Sequence, residues 1–431
     1  MEAYMMKRLL FIILCSLMVL LPAFSGGQAE DKQETTTIKW MVWITPNIDL
    51  EFYRTVAIAF EAENPGVLVE IVETSATTSA TSSDFIRNRL ASGDVPDLWM
   101  NFQDVPAFAD AGHLWEIPAY DTDLKQVKNL MSAAYEGKLY SFPSSAQPQG
   151  LMFYNKKLWA ESGLTEDDIP YDWNDLNTVC AKIKDAGFTP IAMGGEWVPV
   201  LFWDLFMGSE LSKEYPDWWS LIYSGEKKWD DPQVLEILEY MDKLVKDGYF
   251  MEGALSIGYA QLEQAFLNEQ AVMYPMGSWF TAAEASAEKD WECGVFSLPT
   301  KDGRVNVTKS GGYGNGFAIY SGSENPELAF KLMKKATLDP VLGAKFLQVD
   351  GLYSNLTPPL SYSMSSLQQE LADLVTSAEF SRPVMQHPLG DAPPMGIGDY
   401  FTSGAEAVLT QSYSSLDDLL KKIDNFVAEV K

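Results

Sequence analysis

Residues 137 to 164, GKLYSFPSSAQPQGLMFYNKKLWAESGL, set two short strands on either side of a polar link bracketed by prolines. Lys138 to Phe142 alternates apolar and polar side chains, and Pro143 stops it because proline brings no amide donor to a ladder. Ser144, Ser145, Ala146, Gln147 and Pro148 suit a crossing between two bodies better than a tight hairpin. Gly150 to Tyr154 reads as the second strand, Asn155 as the cap of a helix, and Gly163 as the end of that helix. A chain of 431 residues exceeds one ordinary domain and fits two bodies of about 150 to 200 residues divided at this link.

Before the link, Ile38 to Ile44 is almost wholly apolar, as a strand covered on both faces must be. Asn47 or Asp49 caps a helix over Leu50 to Glu63, Val67 to Val72 is a strand, Asp84 to Ala91 a helix and Asp97 to Met100 a third strand. This alternation predicts a parallel, doubly wound sheet. After the link the pattern continues with helices over 172–186, 200–211, 232–245 and 261–268, and with strands over 190–193, 271–276 and 291–298. Gly316 to Tyr320 is a further strand, Pro326 to Ala336 a helix, and Leu416 to Val430 the last helix.

The formal charge of −29 comes from 31 basic and 60 acidic residues, with no basic cluster after Arg8, so nucleic acid and anionic membranes are poor partners. Residues 1–25 have the form of a cleavable signal peptide: Lys7 and Arg8, an apolar run from Leu9 to Leu21, then Ala23-Phe24-Ser25. Leu14 precedes Cys15 inside the apolar run, where a lipoprotein cysteine would follow a small residue, so no lipid anchor is expected. Cys180 and Cys293 sit in apolar patterns and read as buried thiols.

Catalytic constellations are sparse. His113 and His387 stand in unrelated contexts, and the glycines at 311, 312, 314 and 316 lack dinucleotide spacing and precede a strand. A glycoside hydrolase needs only two carboxylates, which leaves that class open, and the acidity leaves open a polyamine or other cationic solute. The 13 tryptophans carry the positive signal. Ligands of doubly wound sheets bind beyond the carboxyl ends of the strands, and there stand Trp43, Trp99, Asn101, Glu196, Trp197 and Trp279. An aromatic face covers the apolar side of a sugar ring while amides and carboxylates take its hydroxyls. Trp40 and Trp99 also fit core packing, whereas Trp159, Trp173, Trp218, Trp219 and Trp229 read as structural. In Met-Gly-Ser-Trp, the small Gly277 and Ser278 leave room beside Trp279.

The Leu-Tyr-Ser-Phe-Pro entry to the link and its Phe-Tyr-Asn-Lys exit resemble the crossover of bacterial extracellular solute-binding proteins of the sugar-binding class, the capture components of ABC importers. The resemblance implies a two-lobed α/β fold of the periplasmic-binding-protein type, each lobe a mainly parallel sheet flanked by helices. It implies an N-terminal lobe of residues 36–144 plus 311–339, a C-terminal lobe of 148–308 plus 341–431, and hinges around 144–148, 308–311 and 339–341. It implies a carbohydrate ligand in the interlobe cleft, a membrane permease as partner, an exported monomer in the periplasm or outside the cell, and no cofactor or catalysis. Ligand contacts are expected from Trp43, Asn101, Gln103, Gln147, Gln149, Glu196, Trp197, Trp279, Gly312, Tyr313 and Asp399, with Met395 nearby. Asp104 is expected either to join them or to cap the helix that follows it.

Overall fold

The computed structural model describes residues 35–75, 82–102, 104–143, 145–310, 316–385, 391, 393–394 and 396–430. The leader over 1–25 and the expectations placed on Gln103, Gly312, Tyr313 and Met395 lie outside the described residues, and for Asn101 only the backbone is described. The sheets are built from β1 (Thr36–Ile44), β2 (Val67–Ser75), β3 (Leu98–Phe102), β4 (Gln147–Gln149), β5 (Leu151–Asn155), β6 (Met273–Met276), β7 (Cys293–Ser297), β8 (Asn306–Ser310), β9 (Gly316–Ile319) and β10 (Glu379–Ser381), besides a small hairpin over 134–139.

The first body is a sheet in the order β9-β3-β1-β2. β1 runs parallel to β3, with Trp40 opposite Leu98, while β9 returns antiparallel, with Ala318 opposite Trp99. The apolar run of β1 is explained by cover on both faces: Trp40 packs with Tyr53 and Phe60 on one side, and Met41 with Ile86 and Phe108 on the other. The helix Leu50–Glu63 starts at Asp49, whose Oδ1 accepts from the Phe52 amide at 3.1 Å, and that leaves Asn47 free for another task.

One expected boundary moves. The helix Leu342–Val349 packs into the first core through Phe346 and Leu347, followed by Leu352 and Leu356, so the chain does not leave the first body at 339–341. Asp339-Pro340 instead restarts a helix, because Asp339 Oδ1 accepts from the amides of Val341 and Leu342, both at 2.9 Å.

The second sheet has the order β6-β5-β7, and β5 is antiparallel to both neighbours, which makes it mixed rather than mainly parallel. β5 enters straight from the link, without the helical crossover that a parallel partner requires. Parallel pairing survives on the other side of β6, where Ile191 bridges Met273 and Phe250. Helices around this sheet bury Trp203, Trp218, Trp219 and Trp229 completely, and the Trp229 ring lies 4.9 Å from Phe401 and 5.4 Å from Trp218. Cys180 and Cys293 are both buried and free.

The link itself is a structured element. β4 pairs antiparallel with β8, setting Gln147 opposite Ser310 and Gln149 opposite Thr308, and β8 pairs parallel with β10. Phe142 exchanges both backbone hydrogen bonds with Phe317, at 2.8 and 3.0 Å, and Ala146 does the same with Tyr353. A buried crossing has to satisfy its own amides and carbonyls, and segments remote in sequence supply the partners.

Candidate functional site

Two glycine-containing loops of the second body build one wall of the site. After Ile191 the chain runs Gly194-Gly195-Glu196-Trp197, pressed against the loop leading into the helix Tyr259–Leu267. A Cβ at Gly194 would meet the Ile257 carbonyl at 2.8 Å, and one at Gly195 the Leu255 carbonyl at 2.4 Å, so the approach needs glycine at both. Glu196 then adopts a left-handed backbone, φ 56°, and its carboxylate accepts from the Tyr259 amide at 3.1 Å. Strain of this kind in a non-glycine residue persists only where the surroundings hold it.

Trp197 is left with its ring 4.7 Å from Tyr259 and 6.1 Å from Trp279, tilted by 59° to the latter. Trp279 follows β6, and Gly277 is what admits it: a Cβ there would lie 2.1 Å from Cζ3 of the indole. The two tryptophans expected beyond separate strands are thus neighbours, each half-buried.

The first body reaches this wall through Asn47, at the end of the β1 loop. Its Nδ2 donates to the Trp279 carbonyl at 2.9 Å and lies 3.4 Å from Asp350 Oδ1. Gly351 seats against the same loop, where a Cβ would come within 2.8 Å of the Ser278 carbonyl. The link strand borders it too, since the Ser278 amide donates to the Pro148 carbonyl at 2.9 Å.

The electrostatics are carboxylic. Burial raises Asp350 to about 7 against the opposing Asn47 amide, and raises Glu263 to about 7 against the Tyr259 hydroxyl. Among the described residues, Glu196, Glu263 and Asp350 have no ion pair. Such a surface presents stacking faces and hydrogen-bond acceptors, and no His, Cys, Asp or Glu cluster able to hold a metal ion occurs among the described residues.

Other expected residues lie outside the aromatic pair, Gln147 and Gln149 at its border on either side of Pro148. Trp43 lies within β1 and packs against the first core, its carbonyl accepting from the Tyr53 hydroxyl at 2.7 Å. Asp104 does not cap the following helix through its side chain; it pairs with Arg87, which also holds Asp84 at 2.8 Å. Gln147 and Gln149 are buried in β4, with Gln149 Oε1 unpartnered. Asp399 is exposed in the first turn of the helix Ile397–Leu409, where its charge suits the helix dipole. Trp40, Trp99, Trp159 and Trp173 are core residues. Sequence reasoning missed Asn47, Tyr259, Glu263 and Asp350; the Gly194-Gly195 pair was the signal for the loop contact. Away from the wall, a groove of about 480 Å³ opens by Lys334 and Lys335, and their charges are matched by Asp121, Asp123, Glu63 and Asp339.

Two bodies are joined by paired crossings, and the aromatic wall is touched from both. Residues 47–341 match the family of bacterial extracellular solute-binding proteins, and the chain belongs to it. It is 26% identical over 345 residues to the multiple sugar-binding protein of Streptococcus mutans, across 77% of this chain and 78% of that one. It is 25% identical to the diacetylchitobiose binding protein DasA of Streptomyces coelicolor, across 59% of each. The fold is shared with a chitin oligosaccharide binding protein, TM-score 0.79 at 22% identity over 92% of this chain and 99% of that one. It is shared also with the solute-binding protein RafE in complex with raffinose, TM-score 0.72 at 21% identity over 92% of this chain and 100% of that one. No helix among the described residues is long and apolar enough to cross a membrane.

Proposed function

We propose that this protein captures a sugar or oligosaccharide between its two bodies and hands it to the permease of an ABC importer, without catalysis. The observation that carries the reading is the Trp197–Trp279 pair, 6.1 Å apart beside Asn47 and the uncompensated carboxyl groups. The rings would cover the apolar faces of sugars, and Asn47 with Glu196 would take hydroxyls. Closure would bend the β4–β8 crossing, and only contacts made in the closed form can drive it, hence the need for groups from both bodies at one ligand. Export through the leader would place the protein in the periplasm or outside the cell as a monomer.

A thermal-shift screen of the chain from Gly26 onward against mono- and oligosaccharides, polyamines and amino acids tests the proposal. A ligand at 100 times its dissociation constant stabilises a single-site binder by about 2.7 kcal/mol. Stabilisation by a sugar, abolished by Trp279→Ala in a folded protein, is the expected result. Stabilisation by polyamines alone would overturn it.

A further inference from the structure

Asn47 is mounted rigidly on the first body. The Thr45 hydroxyl accepts from the amides of Asn47 and Ile48, at 3.2 and 3.1 Å, the Thr45 amide donates to the Ile48 carbonyl at 3.2 Å, and Ile48 is buried in the first core. The Trp279 loop is mounted as firmly on the second body. There the Phe280 amide donates to the Gly277 carbonyl at 3.1 Å, the Thr281 hydroxyl donates to the Ser278 carbonyl at 2.8 Å, and the buried Phe280 ring lies 4.9 Å from Phe153. The 2.9 Å bond from Asn47 Nδ2 to the Trp279 carbonyl therefore joins two rigid mounts directly. We infer that Asn47, Asp350 and Gly351 form a closure seat: they dock the first body on the Trp279 loop and hold the two bodies shut through contacts of the chain itself, before any ligand bridges them.

Each member of the seat has its own part. Asn47 Nδ2 carries two hydrogens, one for the Trp279 carbonyl and one for Asp350 Oδ1 at 3.4 Å, which leaves its Oδ1 to accept from a ligand hydroxyl. Asp350 is 5% exposed, a costly placement for a carboxyl unless its acceptor oxygen is used, and its use here is to aim the Asn47 amide. Gly351 supplies the fit. Its φ is 59°, and a Cβ there would lie 2.6 Å from Thr281 Oγ1 and 2.8 Å from the Ser278 carbonyl, so only glycine lets the first body settle to this depth. The seat adjoins a crossing. Leu352 is buried in the first core, whereas Tyr353 packs against the second, its backbone exchanging hydrogen bonds with Ala146 and its hydroxyl donating to the Gln368 carbonyl at 2.8 Å. Opening about this crossing carries Asn47 away from the Trp279 carbonyl, and because neither mount can follow the other the bond breaks. Closure is thus favoured in advance, and apparent affinity rises with the fraction of molecules already closed.

The consequence for binding rests on the sugar-capture reading; the seat does not, and small-angle X-ray scattering of the chain from Gly26 onward tests it. Asn47→Asp removes the donor and sets a carboxylate against Asp350, while Gly351→Ala wedges a methyl group into the seat. In the ligand-free protein each should raise the radius of gyration above the wild-type value, with far-ultraviolet circular dichroism unchanged, and the double variant should open no further than the larger single one. With the oligosaccharide that stabilises the wild type most among diacetylchitobiose, raffinose and xylo-oligosaccharides, Gly351→Ala should weaken binding about 5-fold, chiefly through faster release. Saturating sugar should return its radius to that of the liganded wild type. Wild-type radii in both folded variants would overturn the seat, and a loss of affinity at an unchanged radius would reduce Asn47 to a ligand contact and overturn it equally. A wild type that binds no sugar would sink the capture reading, while the ligand-free scattering would still decide the seat.

Discussion

Gly277→Ala adds one methyl group at the tightest point of the wall. The new Cβ would sit 2.1, 2.3 and 2.6 Å from Cζ3, Cη2 and Cε3 of Trp279. Carbon atoms in contact stay about 3.5 to 4.0 Å apart, so the indole must retreat by roughly 1.4 Å. Any such movement costs its packing beside Trp197. An aromatic contact is worth about 0.5 to 1.5 kcal/mol, which puts the loss near ~1 kcal/mol. Sugar affinity should therefore fall about 5-fold. The backbone at 277 has no positive φ, so alanine is sterically acceptable there apart from the ring, and the unfolding temperature should change little. Titration calorimetry on Gly277→Ala, Trp279→Ala and the double variant separates the terms, and the double variant should match Trp279→Ala. Wild-type affinity in Gly277→Ala would refute the premise that the observed ring position is the binding position.

Burial holds Asp204, Glu263 and Asp350 near 7 when folded, above the ordinary carboxylate value they regain on unfolding, so their protons favour the folded chain at low pH and this contribution is lost as pH rises through about 7. The thermal midpoint should consequently be higher at pH 5 than at pH 8, with Asp350→Asn reducing the difference; a midpoint that rises with pH would contradict this. Trp229→Ala, which empties a fully buried site between Trp218, Trp219 and Phe401, should destabilise the protein by about 3 to 5 kcal/mol in denaturant titrations while ligand affinity holds wherever the fold survives. Cys180 and Cys293, buried with thiols pushed up by desolvation, should ignore a thiol reagent until the chain unfolds, and rapid native labelling would be inconsistent with their burial. Asn47→Ala should weaken sugar binding by removing the first body's contact with the Trp279 loop, measured by calorimetry beside the unaltered thermal midpoint.

Periodicity was most legible where burial is one-sided or complete. The apolar run of β1, the amphipathic helices over 173–185 and 232–246, and the Gly-Ser beside Trp279 could all be read directly, because each is a local rule. Direction and partnership are not local. That β5 lies antiparallel between β6 and β7, and that Leu342–Val349 belongs to the first core, follow from contacts between remote segments. The site divides in the same way. Trp197 and Trp279 announced themselves by standing after strands, whereas Asn47 looked like a helix cap until Asp49 took that role. Tyr259 and Glu263 looked like any helical pair one turn apart, and only the packing of the Tyr259 ring against Trp197 sets them beside the wall.

The order in which the chain is made adds a constraint of its own. The first sheet lacks its edge strand until Gly316–Ile319 has been synthesised, and its core lacks Phe346 to Leu356 until later still. The second core waits for Leu419, Leu420, Ile423 and Val427 in the closing helix. The first body therefore cannot close its core before Leu356 is made, nor the second before Val427, and until then each keeps apolar edges uncovered. For a two-body protein, late closure of the second core means that the halves of the binding wall meet only once both cores are complete.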